Sequence, residues 1–177
     1  SIFSFSDSAD YYVLELGANQ AGDIKHLSSM IKPNCAIVTN ISDAHLDGFG
    51  SFDNIIKEKT SIFDYSDIGF YRSQINIDYS NPKVKLLSDS LENFHYPERL
   101  NSMFDRNRAL LANAFMVYHA CNAIIDISID DFFTLIEDFS LPKGRGQVHL
   151  LNNNIKMIDD TYNANPESVK AAIDNLA

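Results

Sequence analysis

Two stretches near the start of the chain are almost continuously apolar. Tyr11 to Leu16 (YYVLEL) is rich in β-formers and ends on Gly17, and Cys35 to Thr39 (CAIVT) is the second. Runs of this kind suit buried strands of a parallel sheet better than half-exposed strands, which alternate. Between them, Asp23 to Ile31 places Ile24, Leu27 and Ile31 on one helical face, and Pro33 stops the helix. Strand, helix and strand in such close succession predict a βαβ unit and an α/β fold.

Further along, Asn40 to Ser51 (NISDAHLDGFGS) is polar and glycine-bearing, which predicts a loop. Phe52 to Phe63 resumes helical spacing through Ile55, Ile56 and Ile62. Asp64 to Met103 mixes Tyr, Asn, Ser and two prolines with short apolar pieces such as Val84 to Leu87, and reads as irregular with a few short strands. Arg106 to Asn122, rich in Ala and Leu, predicts a helix, and Ser128 with Asp131 forms a capping-box-like start for another through Asp138. Lys143 to Gly146 (KGRG) breaks the pattern as a mobile linker. Val148 to Ile158 predicts a hairpin around Asn152 to Asn154, and Asp159 to Asn165 a loop. Pro166 suits the first turn of a terminal helix.

Composition narrows the partners. The chain has 177 residues, with 24 Asp+Glu against 14 Lys+Arg and a net charge of −10. That length allows one domain, or one and part of another. Nothing basic clusters along it, so neither nucleic acid nor an anionic membrane surface is an expected partner. No apolar run approaches the ~20 residues of a membrane helix, and no signal peptide opens the sequence. Cys35 and Cys121 lie among apolar residues and read as buried free thiols of a reducing compartment. A cytoplasmic monomer is expected.

A few residues could carry chemistry. Glu15 is a carboxylate near the end of an apolar run, costly there unless paired or bound to a cation. Ligands of open α/β sheets sit at that strand edge, so a metal ligand and a carboxylate reaching solvent are both open. His45 follows the second run and would share that edge, or be an ordinary surface histidine. Lys57 and Lys59 fit a solvated helix face. Asp159 and Asp160 close a strand and could hold a sugar hydroxyl or a metal, or only shape the loop. Arg145 between two glycines suits a phosphate grip, or is a linker charge. His26, His95, His119 and His149 have no metal-ligand spacing and read as surface or packing residues.

Taken in order, these stretches carry a family likeness. ELGANQAGDI (15–24), IVTNISDAHLDGFGS (37–51), KEKTSIF (57–63), Gly144-Arg145 and IDDTYNANPESVKAAI (158–173) resemble the Mur ligases, and within them the D-alanyl-D-alanine-adding branch. The DDTYNANP block sets it apart from folylpolyglutamate and cyanophycin synthetases. The likeness implies a mostly parallel α/β sheet with flanking helices over residues 1–146, akin to P-loop NTPases, and the start of a Rossmann-like domain over 147–177. It implies ligation driven by ATP through an acyl phosphate. The amine of D-alanyl-D-alanine then attacks the activated UDP-N-acetylmuramoyl-tripeptide. It also implies Glu15, His45 and a carbamylated Lys59 as magnesium ligands, Lys59 and His45 as catalytic residues, Arg145 on the ATP phosphates and Asp160 near the ribose.

The chain also departs from that pattern. No Gly-x-x-x-x-Gly-Lys-[Ser/Thr] loop occurs, since no glycine precedes Gly17 and no Gly-Lys pair exists. Where the family carries Gly-x-His-Asn against adenine, RNRALLANA (106–114) puts Ala109 and Leu110 at the His and Asn positions and keeps Asn113-Ala114. Phe63 to Arg106 reads as shortened. The expectation is a piece of a Mur ligase, without the UDP-binding domain and inactive alone. The alternative is a non-catalytic binding module that keeps these residues by descent. A Gly-Lys-Thr loop upstream of Ser1 would separate the two readings.

Overall fold

Three short parallel strands organise the first part of the chain. They belong to a computed structural model that describes residues 8–42, 46–72, 81–87, 94–104, 107–164 and 166–174. β1 (Cys35–Val38), β2 (Ile68–Arg72) and β3 (Val84–Leu87) form a sheet in the order β1-β2-β3, with Ala36 opposite Gly69 and Tyr71 opposite Leu86. Helices cover both faces. On one, Ala36, Val38 and Tyr71 pack with Ile55 and Phe63 from α3 (Phe52–Thr60) and the 3-10 turn after it. On the other, Phe70 and Leu87 meet Met116 and Ala120 of α5 (Arg108–Ile125), with Cys35, Ile37 and Ile68 alongside. Neighbouring residues of β1 thus serve opposite faces. This is why CAIV is apolar throughout.

Several predicted elements stand where the sequence put them. α1 spans Asp23–Ile31 and ends on Lys32 in the left-handed conformation, just before Pro33. α3 begins at Ser51, whose hydroxyl accepts the Asn54 N–H. α6 (Ile129–Ile136) begins at Ser128, whose hydroxyl accepts the Asp131 N–H and donates to its carboxylate. The hairpin forms as β4 (Gln147–Leu150) against β5 (Lys156–Asp159), turning through Asn153 at φ 63°. α7 (Pro166–Asp174) opens on its proline. Between α3 and α6 lie α5 and the short α4 (Asn101–Phe104). α2 (Leu46–Phe49) precedes α3. A second core of Phe94, Leu100, Phe104, Leu111, Phe132 and Phe133 ties α4, α5 and α6 together.

Four expectations change. Tyr11 to Leu16 joins neither sheet, and Val13 is 95% exposed. An apolar run marks affinity for a buried position, but burial also needs covering layers, which the described residues do not supply there. The βαβ unit is instead β1, α3 and β2, with β2 in a stretch that reads as irregular. Cys35 and Cys121 are free but only half-buried, and burial pushes both thiols up. The helix expected over Arg106 to Asn122 runs from Arg108 to Ile125, capped by the Asn107 side chain on the Leu110 N–H; Arg106 lies outside the described residues.

Candidate functional site

Two sets of segments carry most of the residues singled out in the sequence. The first gathers around the turn after Glu15. Glu15 itself is exposed on the stretch without regular secondary structure that leads into Gly17. The turn is held by Asp23, whose carboxylate accepts the N–H groups of Asn19 at 3.0 Å and Gln20 at 3.1 Å. Those two backbone bonds hold the Asp23 carboxyl below its ordinary value. Gly22 takes φ 98° at the head of α1, a conformation glycine adopts freely.

Two other segments press on this turn. A Cβ on Gly48, in α2, would overlap the Asn19 carbonyl oxygen. The close approach of these backbones requires the glycine. From α3, the Glu58 carboxylate accepts the N–H of Gly22 at 2.7 Å and that of Ile24 at 2.6 Å. Glu58 is 7% exposed. The next residue, Lys59, is half-buried, and burial holds its ammonium below the ordinary lysine value. The segments that carry Glu15 and Lys59 therefore touch, and so does the helix that begins one residue after His45. His45 itself lies outside the described residues. Among those described, no cluster of three or more His, Cys, Asp or Glu side chains is assembled to hold a metal.

The second group forms where the linker meets the hairpin. The Arg145 guanidinium stacks over the Tyr162 ring at 3.8 Å. The Tyr162 N–H donates to the Gly144 carbonyl at 3.0 Å, and the Gly146 N–H to that of Asp159 at 2.8 Å. Gly144 and Gly146 take φ 75° and 81°, so the tight clasp needs both glycines. The KGRG segment is thus pinned to the end of β5 rather than free. Asp159 is committed locally: its carboxylate accepts the Thr161 hydroxyl at 2.6 Å and the Thr161 N–H. These bonds, the hydroxyl first, hold its carboxyl below the ordinary value. Asp160 is exposed and lines a shallow cleft with Asn163, Ala164 and Ser168, against α7. Asn165 lies outside the described residues. Asn113 is exposed on α5.

Lys57 is exposed, as its helix-face reading implied. His119 does pack, between the rings of Phe115, Tyr118 and Phe70. Sequence reading missed Glu58, Asp23 and Gly48. Glu58 stands between two lysines and looks like part of a solvated face; nothing local marks it as buried.

Residues 1–125 match the Mur ligase middle domain. The UDP-N-acetylmuramoyl-tripeptide--D-alanyl-D-alanine ligase of Rickettsia prowazekii is 29% identical over 207 residues, covering 99% of this chain and 46% of that protein. The enzyme of the same name from Buchnera aphidicola is 30% identical over 203 residues, covering 98% and 44%. The Escherichia coli one is 29% identical over 199 residues, covering 95% and 43%. The chain therefore spans a little under half the length of these relatives. Each of these alignments is also longer than the 177-residue chain, so the relatives carry segments that it lacks. A crystal structure of MurF from Acinetobacter baumannii shares the fold, with a TM-score of 0.75 at 22% identity over 99% of this chain and 44% of that one.

Proposed function

The chain belongs to the Mur ligase family, and on that premise we propose that it serves an ATP-dependent, amide-forming ligase of peptidoglycan precursor synthesis. The reaction joins D-alanyl-D-alanine to a UDP-N-acetylmuramoyl-tripeptide in the cytoplasm. Residues 1–146 contribute part of the central ATP-handling domain and residues 147–177 the start of the C-terminal one. The observation that carries this reading is the convergence on one turn of the segments bearing Glu15 and Lys59 with the helix after His45.

The chemistry brings several anions together: nucleotide phosphates, a substrate carboxylate and the transferring phosphoryl group. Cations must therefore dominate the site. Glu15, His45 and Lys59 are the residues that would hold magnesium, which when bound offsets phosphate charge. Lys59 fits that role, since its burial favours the neutral amine and only a neutral amine takes up carbon dioxide to become an oxygen donor. Arg145 would exchange the Tyr162 ring for a phosphate, which its planar guanidinium can grip at two points. Asp160, its neighbour Asp159 being occupied, keeps a carboxylate for the ribose hydroxyls, and Asn113 is an amide donor for the base. The phosphate-binding loop of the family is absent from the 177 residues, so this chain supplies only part of the phosphate contacts.

The test is phosphate release by the intact ligase, which should require both the tripeptide nucleotide and D-alanyl-D-alanine. Glu15→Ala, His45→Ala and Lys59→Ala should each lower turnover by about 100-fold while leaving thermal melting nearly unchanged. Variants that lose folding instead would make these residues structural and remove the basis for the metal assignment.

A further inference from the structure

We propose that Glu58 is a positioning residue, whose buried carboxylate clamps the turn that follows Glu15 onto the helix that carries Lys59. The inference takes its consequence from the metal reading above; the clamp itself stands on geometry. A carboxylate withdrawn from water is costly unless its oxygens are bonded. Each oxygen of Glu58 takes one backbone N–H, from Gly22 at 2.7 Å and from Ile24 at 2.6 Å. Bonds this short to a charged acceptor are the strong kind. They also satisfy first-turn donors of α1, where Gly22 has no side chain to do so, and where the helix dipole favours a negative charge.

The bonds cross 36 and 34 residues of chain. Glu58 therefore does not merely cap its own helix; it ties α3 to the start of α1, far away in sequence. Lys59, one position on, is turned by about 100° around α3. Any movement of Glu58 against α1 carries Lys59 with it. On the other side, Asp23 ties Asn19 and Gln20 to the same first turn of α1. These carboxylate bonds form one direct connection between the segment of Glu15 and the helix of Lys59.

The test uses the full 177-residue chain, labelled with ¹⁵N, with Mn²⁺ as a paramagnetic probe. In the unsubstituted protein Mn²⁺ should broaden the amides around Glu15 and around Lys59 together. Glu58→Gln places an amide NH₂ where one oxygen stood and faces it with a donor. It should raise the Mn²⁺ needed by about tenfold. It should also speed exchange of the amides of residues 18–24 by about tenfold while those of β1 and α5 keep their rates. Faster exchange spread equally over β1 and α5 would mark a general stabiliser and overturn the proposal. Unchanged exchange at 18–24, or unchanged Mn²⁺ broadening, would overturn it too. Should Mn²⁺ broaden neither segment of the unsubstituted chain, the metal reading fails, and the exchange pattern alone decides the clamp. Glu58→Asp, which keeps the charge on a stem one methylene shorter, should show the same local pattern more weakly, and stands in where Glu58→Gln does not fold.

Discussion

Lys57 and Lys59 look alike in the sequence, two lysines of one polar helix stretch, and the fold gives them different chemistry. Lys57 is exposed, whereas burial depresses the Lys59 ammonium. Since only the neutral amine reacts with an acylating reagent, competitive labelling across pH should place the Lys59 midpoint below the ordinary lysine value; a midpoint at that value would remove the basis for a reactive Lys59. His119 offers a second test. Burial first, and then the Lys85 ammonium, hold its imidazole below 6.5. The unfolded chain takes up a proton near that pH, which the folded state resists. Stability from this group is thus full above about pH 6.5 and is lost as pH falls through the folded value. His119→Phe, which keeps a ring among Phe70, Phe115 and Tyr118, should lessen the drop in Tm between about pH 7 and about pH 5. No local pattern announced either behaviour, because desolvation follows from tertiary packing, which sets Phe70 of β2 against His119 beside the rings of its own helix.

At the level of elements, helix starts were the most legible feature and the central strand the least. Ser128 and Asp131 signal a helix start within four residues, and both cap bonds form. Ser128→Ala should therefore cost about 1 kcal/mol in denaturant unfolding. Ile68 to Arg72 contains Gly69, and a glycine inside an apolar run weakens the strand signal. The structure shows why it is there: a Cβ on Gly69 would lie 2.5 Å from the Phe63 ring. Gly69→Ala should destabilise by about 1–3 kcal/mol, the usual cost of overpacking. Pairing it with Phe63→Leu should recover part of that loss. The opposite failure is Tyr11 to Leu16, which has the composition of a buried strand and neither of the described sheets to join.

Across the whole molecule, the two residue groups belong to different stretches of the chain: the Glu15 turn and α3 precede Pro142, and Arg145 and the DDTYN loop follow it. Incubated alone with ATP and magnesium, this chain should release no phosphate above background, because the 177 residues contain no Gly-Lys phosphate loop. Magnesium-dependent release abolished by Lys59→Ala would show that the remaining residues suffice. The α/β class, the extent of α1, the presence of the hairpin, the Ser128 cap and the family were determined by the sequence itself. These rest on short-range periodicity, turn chemistry and motif order, which are written in neighbouring residues. Only the tertiary structure decided that β2 is the middle strand, that Glu58 holds the turn after Glu15, and that Arg145 lies on Tyr162. Each of those depends on groups brought together from far along the chain, where packing and desolvation, rather than local preference, choose the partner.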